Sequence, residues 1–393
     1  MKAKIRIGLL GKIIIAIAAG VAAGYVSPLW FARLAATFNM VFGQFLGFLI
    51  PLIIIGFVTP AIADIGGKAG KMLLFTAALA YAFTLAAGFG SYFTGVWLFP
   101  DMIAGISSEA FDAANASVDP YFSLAIPAIM PVMTALVFSF LSGLGVSALD
   151  CKALKNGFTE FREIVSLSIN KVVIPLLPVY IFGIFVCMTV VGQVGLVVTA
   201  FIKIIAVIFV LHVAVLLLQY VVASFFAHRN PLKMLWTMMP AYFTALGTQS
   251  SAATIPVTLR QAVKMGVSED VAGFTVPLCA TIHMSGSTLK IVACSLAILI
   301  MHDMPCDFGM YAQFIAMLGI TIIAAPGIPG GAIMASLGLL SSVLGFSDEQ
   351  NALMIALYIA MDSFGTACNV TGDGAIAAIV DRFFRNKTEV PCN

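Results

Sequence analysis

The chain has 393 residues, 61% of them apolar and 10% charged, with 20 basic against 18 acidic side chains and a net charge of +2. A water-facing domain carries about 25% charged residues, so a soluble surface is excluded, and the near balance of signs leaves no broad basic face for nucleic acid. Seven cysteines, without metal-ligand spacing and mostly in or beside apolar segments, argue against a disulfide scaffold.

The amino end carries Lys2, Lys4, Arg6 and Lys12 ahead of an apolar run longer than a signal-peptide core. This predicts an uncleaved first helix with a cytoplasmic start. Charge-free runs then cover 13–32, 34–63, 72–100, 120–149, 172–202 and 204–228, each reaching the roughly 20 residues that a helix needs to cross hydrocarbon. Open sheet is excluded, because lipid satisfies no backbone donor or acceptor. Lys68 and Lys71 follow the second run, Lys152, Lys155 and Arg162 the fourth, and Arg229 and Lys233 the sixth. Basic residues mark the cytoplasmic side, so six spans alternate, the fifth and sixth separated by short polar material near Gly192 to Gly195, with Arg33 as the exception.

The next segments are not simple spans. The run 234–259 has Arg229 and Lys233 before it and Arg260 and Lys264 after it, so both ends read as cytoplasmic. The run 308–347 lies between Asp303 and Asp307 on one side and Asp348 and Glu349 on the other, so both ends read as external. Two re-entrant hairpins entering from opposite faces fit this pattern, with one span (about 268–302) between them and a last span (about 350–380) after them. The breaks fall at Gly247 to Pro256 and at Ala325 to Gly331. Irregular backbone at membrane depth is tolerated where it meets protein or a wet cavity, and opposed broken segments are the pattern of transporters with inverted repeats.

In the last span Asp362, Thr366, Asn369 and Asp373 stand at offsets of four, seven and eleven, within roughly 60° of one another on a helix. Two carboxylates on one stripe inside a bilayer need cations or donors from elsewhere. The expectation is that travelling solutes, a cation and a substrate ammonium, neutralise them. The preceding span holds a proline-to-glycine stretch, 277–286, predicted to unwind, with His283 inside it. Its carbonyls suit hard monovalent cations, while Lys290 either pairs with an acid or snorkels. An aspartyl intramembrane protease is disfavoured, since Asp362 and Asp373 share one helix about 16 Å apart, and no enzyme activity is expected.

Four motifs in order, Thr248-Gln249-Ser250-Ser251-Ala252-Ala253-Thr254-Ile255-Pro256, the 277–286 stretch, Gly327-Ile328-Pro329-Gly330 and Asn369-Val370-Thr371-Gly372-Asp373, resemble the dicarboxylate/amino acid:cation symporters, the glutamate-transporter family. The resemblance covers 234–380; the earlier spans match by topology only. The resemblance implies an all-α polytopic membrane protein of the inner or plasma membrane, with eight transmembrane helices, two opposed helical hairpins and both termini cytoplasmic. It implies a homotrimer in the lipid bilayer, with scaffold helices in 1–71 and 120–197 and a mobile, elevator-like transport unit in 72–119 and 198–393.

By the same resemblance, Ser250, Ser251 and the tip Gly327, Ile328, Pro329, Gly330 enclose a small-molecule substrate's carboxylate with Asn369. Asp362 falls where the amino group binds, and Thr366, Ser287 and Gln249 fall among the substrate contacts. Asp373 with the carbonyls of Cys279, His283 and Asn369 corresponds to one Na⁺ site, and the backbone of Thr281 and Met284 with the second hairpin to another; no organic cofactor is implied. Acidic-substrate members carry an arginine where this chain has Gly365 or Gln249, so a neutral-amino-acid-like member is expected. Acidic amino acids or C4-dicarboxylates are the alternative, with Lys290 as the substitute cation. A further sodium site is expected to be missing, because His283 and Ser285 replace its acid and amide and a loose match of span three offers Phe75, Ala78 and Leu79. Fewer sodium ions, or protons in their place, follow.

Overall fold

A computed structural model of the chain describes residues 9–66, 71–103, 118–149, 151–192, 194–323 and 330–385. The basic cluster Lys2, Lys4 and Arg6, with Lys68 and Lys387, lies outside the described residues, as does the part of the expected second break before Gly330, with Gly327, Ile328 and Pro329.

All elements among the described residues are helices: α1 (Leu9–Val26), α2 (Leu29–Gly66), α3 (Lys71–Ile103), α4 (Val132–Ala148), α5 (Lys152–Ser168), α6 (Ile174–Val190), α7 (Val194–Ala227), α8 (Pro231–Thr248), α9 (Ser251–Lys264), α10 (Glu269–Ile282), α11 (Ser285–Met301), α12 (Phe308–Ile323), α13 (Gly331–Leu344), α14 (Asp348–Ala360) and α15 (Asp362–Phe384). Five helical stretches are long and apolar enough to cross a membrane, six when α14 and α15 count as one bent span. Helices α12 and α13, on either side of 324–329, are among the shorter apolar helices.

One expected span is shorter than its apolar run. The run 120–149 becomes helical at Val132, because Pro120, Pro127 and Pro131 remove donors and hold the residues before them out of the helical region. The stretch before it lies instead along α2: Tyr121 N–H donates to Thr37 Oγ1 at 2.8 Å, Ile126 N–H to Gln44 Oε1 at 3.2 Å, and Arg33 Nε to Asp119 O at 3.1 Å. Residues 33, 37 and 44 recur on one face of α2, so its sparse polar side chains bind backbone that no helix satisfies.

Packing separates two sets of neighbours. Helices α1, α2, α4, α5 and α6 lie on one another, while α3, α7, α8, α9 and α10 surround α11 and α15. Ser285 to Leu299 of α11 are all buried, and Asp362 to Asp381 of α15 are buried apart from Phe364. Polar side chains on these two helices therefore meet protein on every side. At one end of α15, Asp381 Oδ1 accepts from Ser268 N–H at 2.9 Å and Ser268 Oγ at 2.7 Å, and Oδ2 pairs with Arg385 at 2.8 Å. Arg229 donates to the carbonyls of Met265 and Gly266 at 2.8 and 3.0 Å, and Arg385 also binds Gly266 O. The turn between α9 and α10 is thus clamped to α15.

Candidate functional site

Three helix breaks converge on α15. The first is the tip between α8 and α9, where Gln249 takes a left-handed conformation (φ 52°) and Ser250 caps α9 by accepting from Ala253 N–H at 3.3 Å. Thr254 Oγ1 closes the turn on Ser250 O at 2.8 Å. Gln249 Nε2 donates to Ser363 Oγ at 2.9 Å, which ties the tip to the first turn of α15. Ser250 and Ser251 are half-buried at this tip.

The second break falls at His283 and Met284, within the stretch expected to unwind. It exposes the first N–H groups of α11, which a helix cannot satisfy internally. Asn369 meets them from α15: its Oδ1 accepts from Gly286 N–H at 2.8 Å and Ser287 N–H at 3.4 Å, and its Nδ2 donates to Ser287 Oγ at 3.1 Å. Tyr358 of α14 donates to the same hydroxyl at 3.1 Å.

The third break is Met361, where α14 and α15 meet at a 61° bend and Asp362 opens the new helix. Asp362 Oδ1 pairs with Lys290 Nζ at 2.9 Å, and Oδ2 accepts from the N–H of Gly330, the N-cap of α13, at 2.8 Å. The lysine nitrogen also lies 3.5 Å from the carbonyls of Tyr358 and Met361 and 3.5 Å from the Tyr358 ring centre. Carbonyls at the end of α14, a ring face and a carboxylate all favour a cation there.

Three turns further along, Asp373 Oδ1 meets His283 Nδ1 at 2.9 Å. His283 Nε2 lies 3.3 Å from Gln219 Nε2 of α7, which also donates to Ser285 Oγ at 3.0 Å. A donor facing Nε2 puts the ring proton on Nδ1, aimed at the carboxylate. A Cβ at Gly372 would collide with both Gln219 and His283, so the glycine admits this pair.

These contacts correct the expectation that the two aspartates have no permanent protein partner. Each meets a basic side chain from the neighbouring broken span: Lys290 for Asp362, His283 for Asp373. His283 faces Asp373 through its ring rather than its carbonyl. The carbonyls of Cys279 and Met284 accept the helical N–H groups of His283 and Thr288, both at 2.9 Å, while Thr281 is exposed and its hydroxyl binds Leu278 O. Thr366 is buried one turn beyond Asp362. Span three presents Phe83 to His283, with 6.4 Å between ring centres, rather than Phe75, Ala78 or Leu79. Gln219 and His212, whose Nε2 lies 3.1 Å from Gly286 O, were legible only as polar residues in the apolar run 204–228.

The model of the sodium:dicarboxylate symporter family matches residues 9–383, nearly the whole chain. The chain belongs to the sodium:dicarboxylate symporter family. Among relatives, excitatory amino acid transporter 4 of Mus musculus is 30% identical over 164 residues, 42% of this chain and 29% of the relative. Excitatory amino acid transporter 3 of Oryctolagus cuniculus is 32% identical over 162 residues, 41% and 31% of the two chains. Neutral amino acid transporter B(0) of Rattus norvegicus is 27% identical over 167 residues, 42% and 30%. The chain thus spans under a third of the length of these relatives. Family membership and the long apolar helices make this sodium:dicarboxylate symporter family member an integral membrane protein.

Proposed function

We propose that the chain is a secondary active symporter that couples Na⁺ to the passage of a small amino acid across the membrane. The observation that carries this is the buried line of Asp362, Asn369, Ser287 and the Gly330 N–H, assembled where broken helices meet and enclosed on all sides. Such a line supplies a carboxylate for an ammonium and amide and hydroxyl groups for a carboxylate. The family name and the amino acid transporters among the relatives support the same reading. The helices around α11 and α15 act as the moving unit, with α1, α2, α4, α5 and α6 as scaffold, in an elevator cycle within a homotrimer whose termini are cytoplasmic.

The case for a neutral solute is that no arginine stands at Gly365 or Gln249. Lys290, 2.9 Å from Asp362, is a buried cation beside that position and supports the alternative, a solute with a second carboxylate. The test is uptake into proteoliposomes of aspartate, glutamate, succinate, alanine, serine and threonine, with sodium and pH gradients imposed separately. Saturable, sodium-driven uptake of an amino acid is expected. Uptake driven by a pH gradient alone would replace sodium with the proton, and a panel with no amino acid transported would overturn the reading.

A further inference from the structure

Lys290 is fully buried, so its ammonium reaches no water along its own helix and snorkelling is excluded. Room for it comes from Gly365, where a Cβ would stand 2.8 Å from both Cε and Nζ of the lysine. With Nζ on Asp362 Oδ1 and the Gly330 N–H on Oδ2, both oxygens of the carboxylate have donors without any solute. Each oxygen could accept a further donor, but Asp362 is buried and its Oδ1 side is filled by the lysine, so a solute ammonium there takes the lysine's place.

We propose that Lys290 is the specificity-determining residue of the solute site: a tethered cation seated on Asp362, surrendered to a solute that brings an ammonium for the aspartate and a second carboxylate for the lysine. This rests on the reading of Asp362 as part of that site. An acidic amino acid supplies both groups and still has its α-carboxylate for the amide and hydroxyl donors. A neutral amino acid leaves the displaced lysine buried without an anion, and a dicarboxylate leaves Asp362 without a cation; each is penalised by an unpaired charge.

The experiment compares aspartate with alanine in sodium-driven uptake by the wild type, Lys290→Met and Lys290→Arg. The wild type and Lys290→Arg are expected to favour aspartate, and Lys290→Met to lower the aspartate-to-alanine ratio by more than about tenfold. An unchanged ratio in Lys290→Met overturns the proposal. Should that variant fail to fold, Lys290→Gln, which keeps a polar end and removes only the charge, is expected to show the same loss, and an unchanged ratio there overturns it equally. A second measurement needs no transport: in detergent, Lys290→Ala is expected to regain thermal stability with ethylammonium, a free primary ammonium, and not with equal potassium. If the wild type moves no amino acid of the panel, the symport reading fails, while absence of ethylammonium rescue separately removes the tethered-cation role.

Discussion

Replacing Gly365 by alanine tests how tightly the lysine is held. The new Cβ would lie 2.8 Å from Cε and Nζ of Lys290, well inside the contact distance of about 3.5–4.0 Å between carbon atoms. On a surface the lysine would swing away at little cost, but here the chain is fully buried between α14 and α15 and has no vacant side to take. Retreat by about 1 Å from its 2.9 Å contact with Asp362 weakens the pair by roughly 1.5 kcal/mol at an effective dielectric of about 20. Overpacking adds about 1–3 kcal/mol, so Gly365→Ala should cost about 2.5–4.5 kcal/mol in total. The assay is thermal unfolding of purified protein in detergent, run as a cycle of Gly365→Ala, Lys290→Met and the double variant. Because Lys290→Met already removes the ion pair that Gly365→Ala weakens, together with one of the two atoms the new Cβ meets, the double variant should lose less than the sum of the single losses. Additive losses would refute the contact, and a Gly365→Ala protein as stable as wild type would show that the lysine is not confined as described.

Three further outcomes are expected. Asp373→Asn keeps the shape beside His283 but removes the charge, and should raise the sodium concentration for half-maximal uptake about tenfold, close to 1.4 kcal/mol; an unchanged sodium response takes Asp373 out of the cation site. Ser287→Ala leaves Tyr358 and the Asn369 amide without the hydroxyl they share, and should destabilise by about 2 kcal/mol in the same unfolding assay. Asp381→Ala releases the turn between α9 and α10 and should cost about 3 kcal/mol, with faster amide exchange at Ser268, whose N–H it binds; unchanged exchange there would show that Asp381 does not hold the turn.

Two of the three helix breaks were legible because each carries its own local chemistry, while the 61° bend at Met361 falls inside a stretch read as one continuous span. Gln249 and Ser250 interrupt one apolar run, His283 and Met284 a second, and the glycines and hydroxyls beside them leave the backbone free to turn. The stripe from Asp362 to Asp373 was legible for the same reason, being a matter of spacing along one helix. The pairing of that stripe was not. Lys290 and Asp362 are 72 positions apart, His283 and Asp373 are 90 apart, and no periodicity within either helix states which face of its neighbour it meets. A lysine near the middle of an apolar segment reads equally well as one that snorkels. The space that decides otherwise belongs to Gly365, which one sequence shows only as the loss of an expected arginine. The short α4 was hidden differently: apolar composition over 120–149 met the length criterion for a span, and three prolines outweighed it.

The two pairs share one origin. The break at His283 and Met284 separates α10 from α11, and the basic groups that meet the stripe stand on either side of Met284: His283 in the unwound backbone and Lys290 in the second turn of α11. On α15 their carboxylates lie in the opposite order, the lysine reaching Asp362 and the histidine Asp373, as required when two segments run antiparallel. Asn369 sits between the two acids and binds the Gly286 and Ser287 N–H groups between the two bases. The register is therefore fixed three times over within eight residues of α11 and its entry, and a shift of one turn would leave two buried carboxylates and the amide unmatched together. Any solute or ion that enters acts against this register, and its binding energy must first replace contacts the protein already makes to itself. That competition, more than the presence of the acids alone, sets which chemical groups the site accepts.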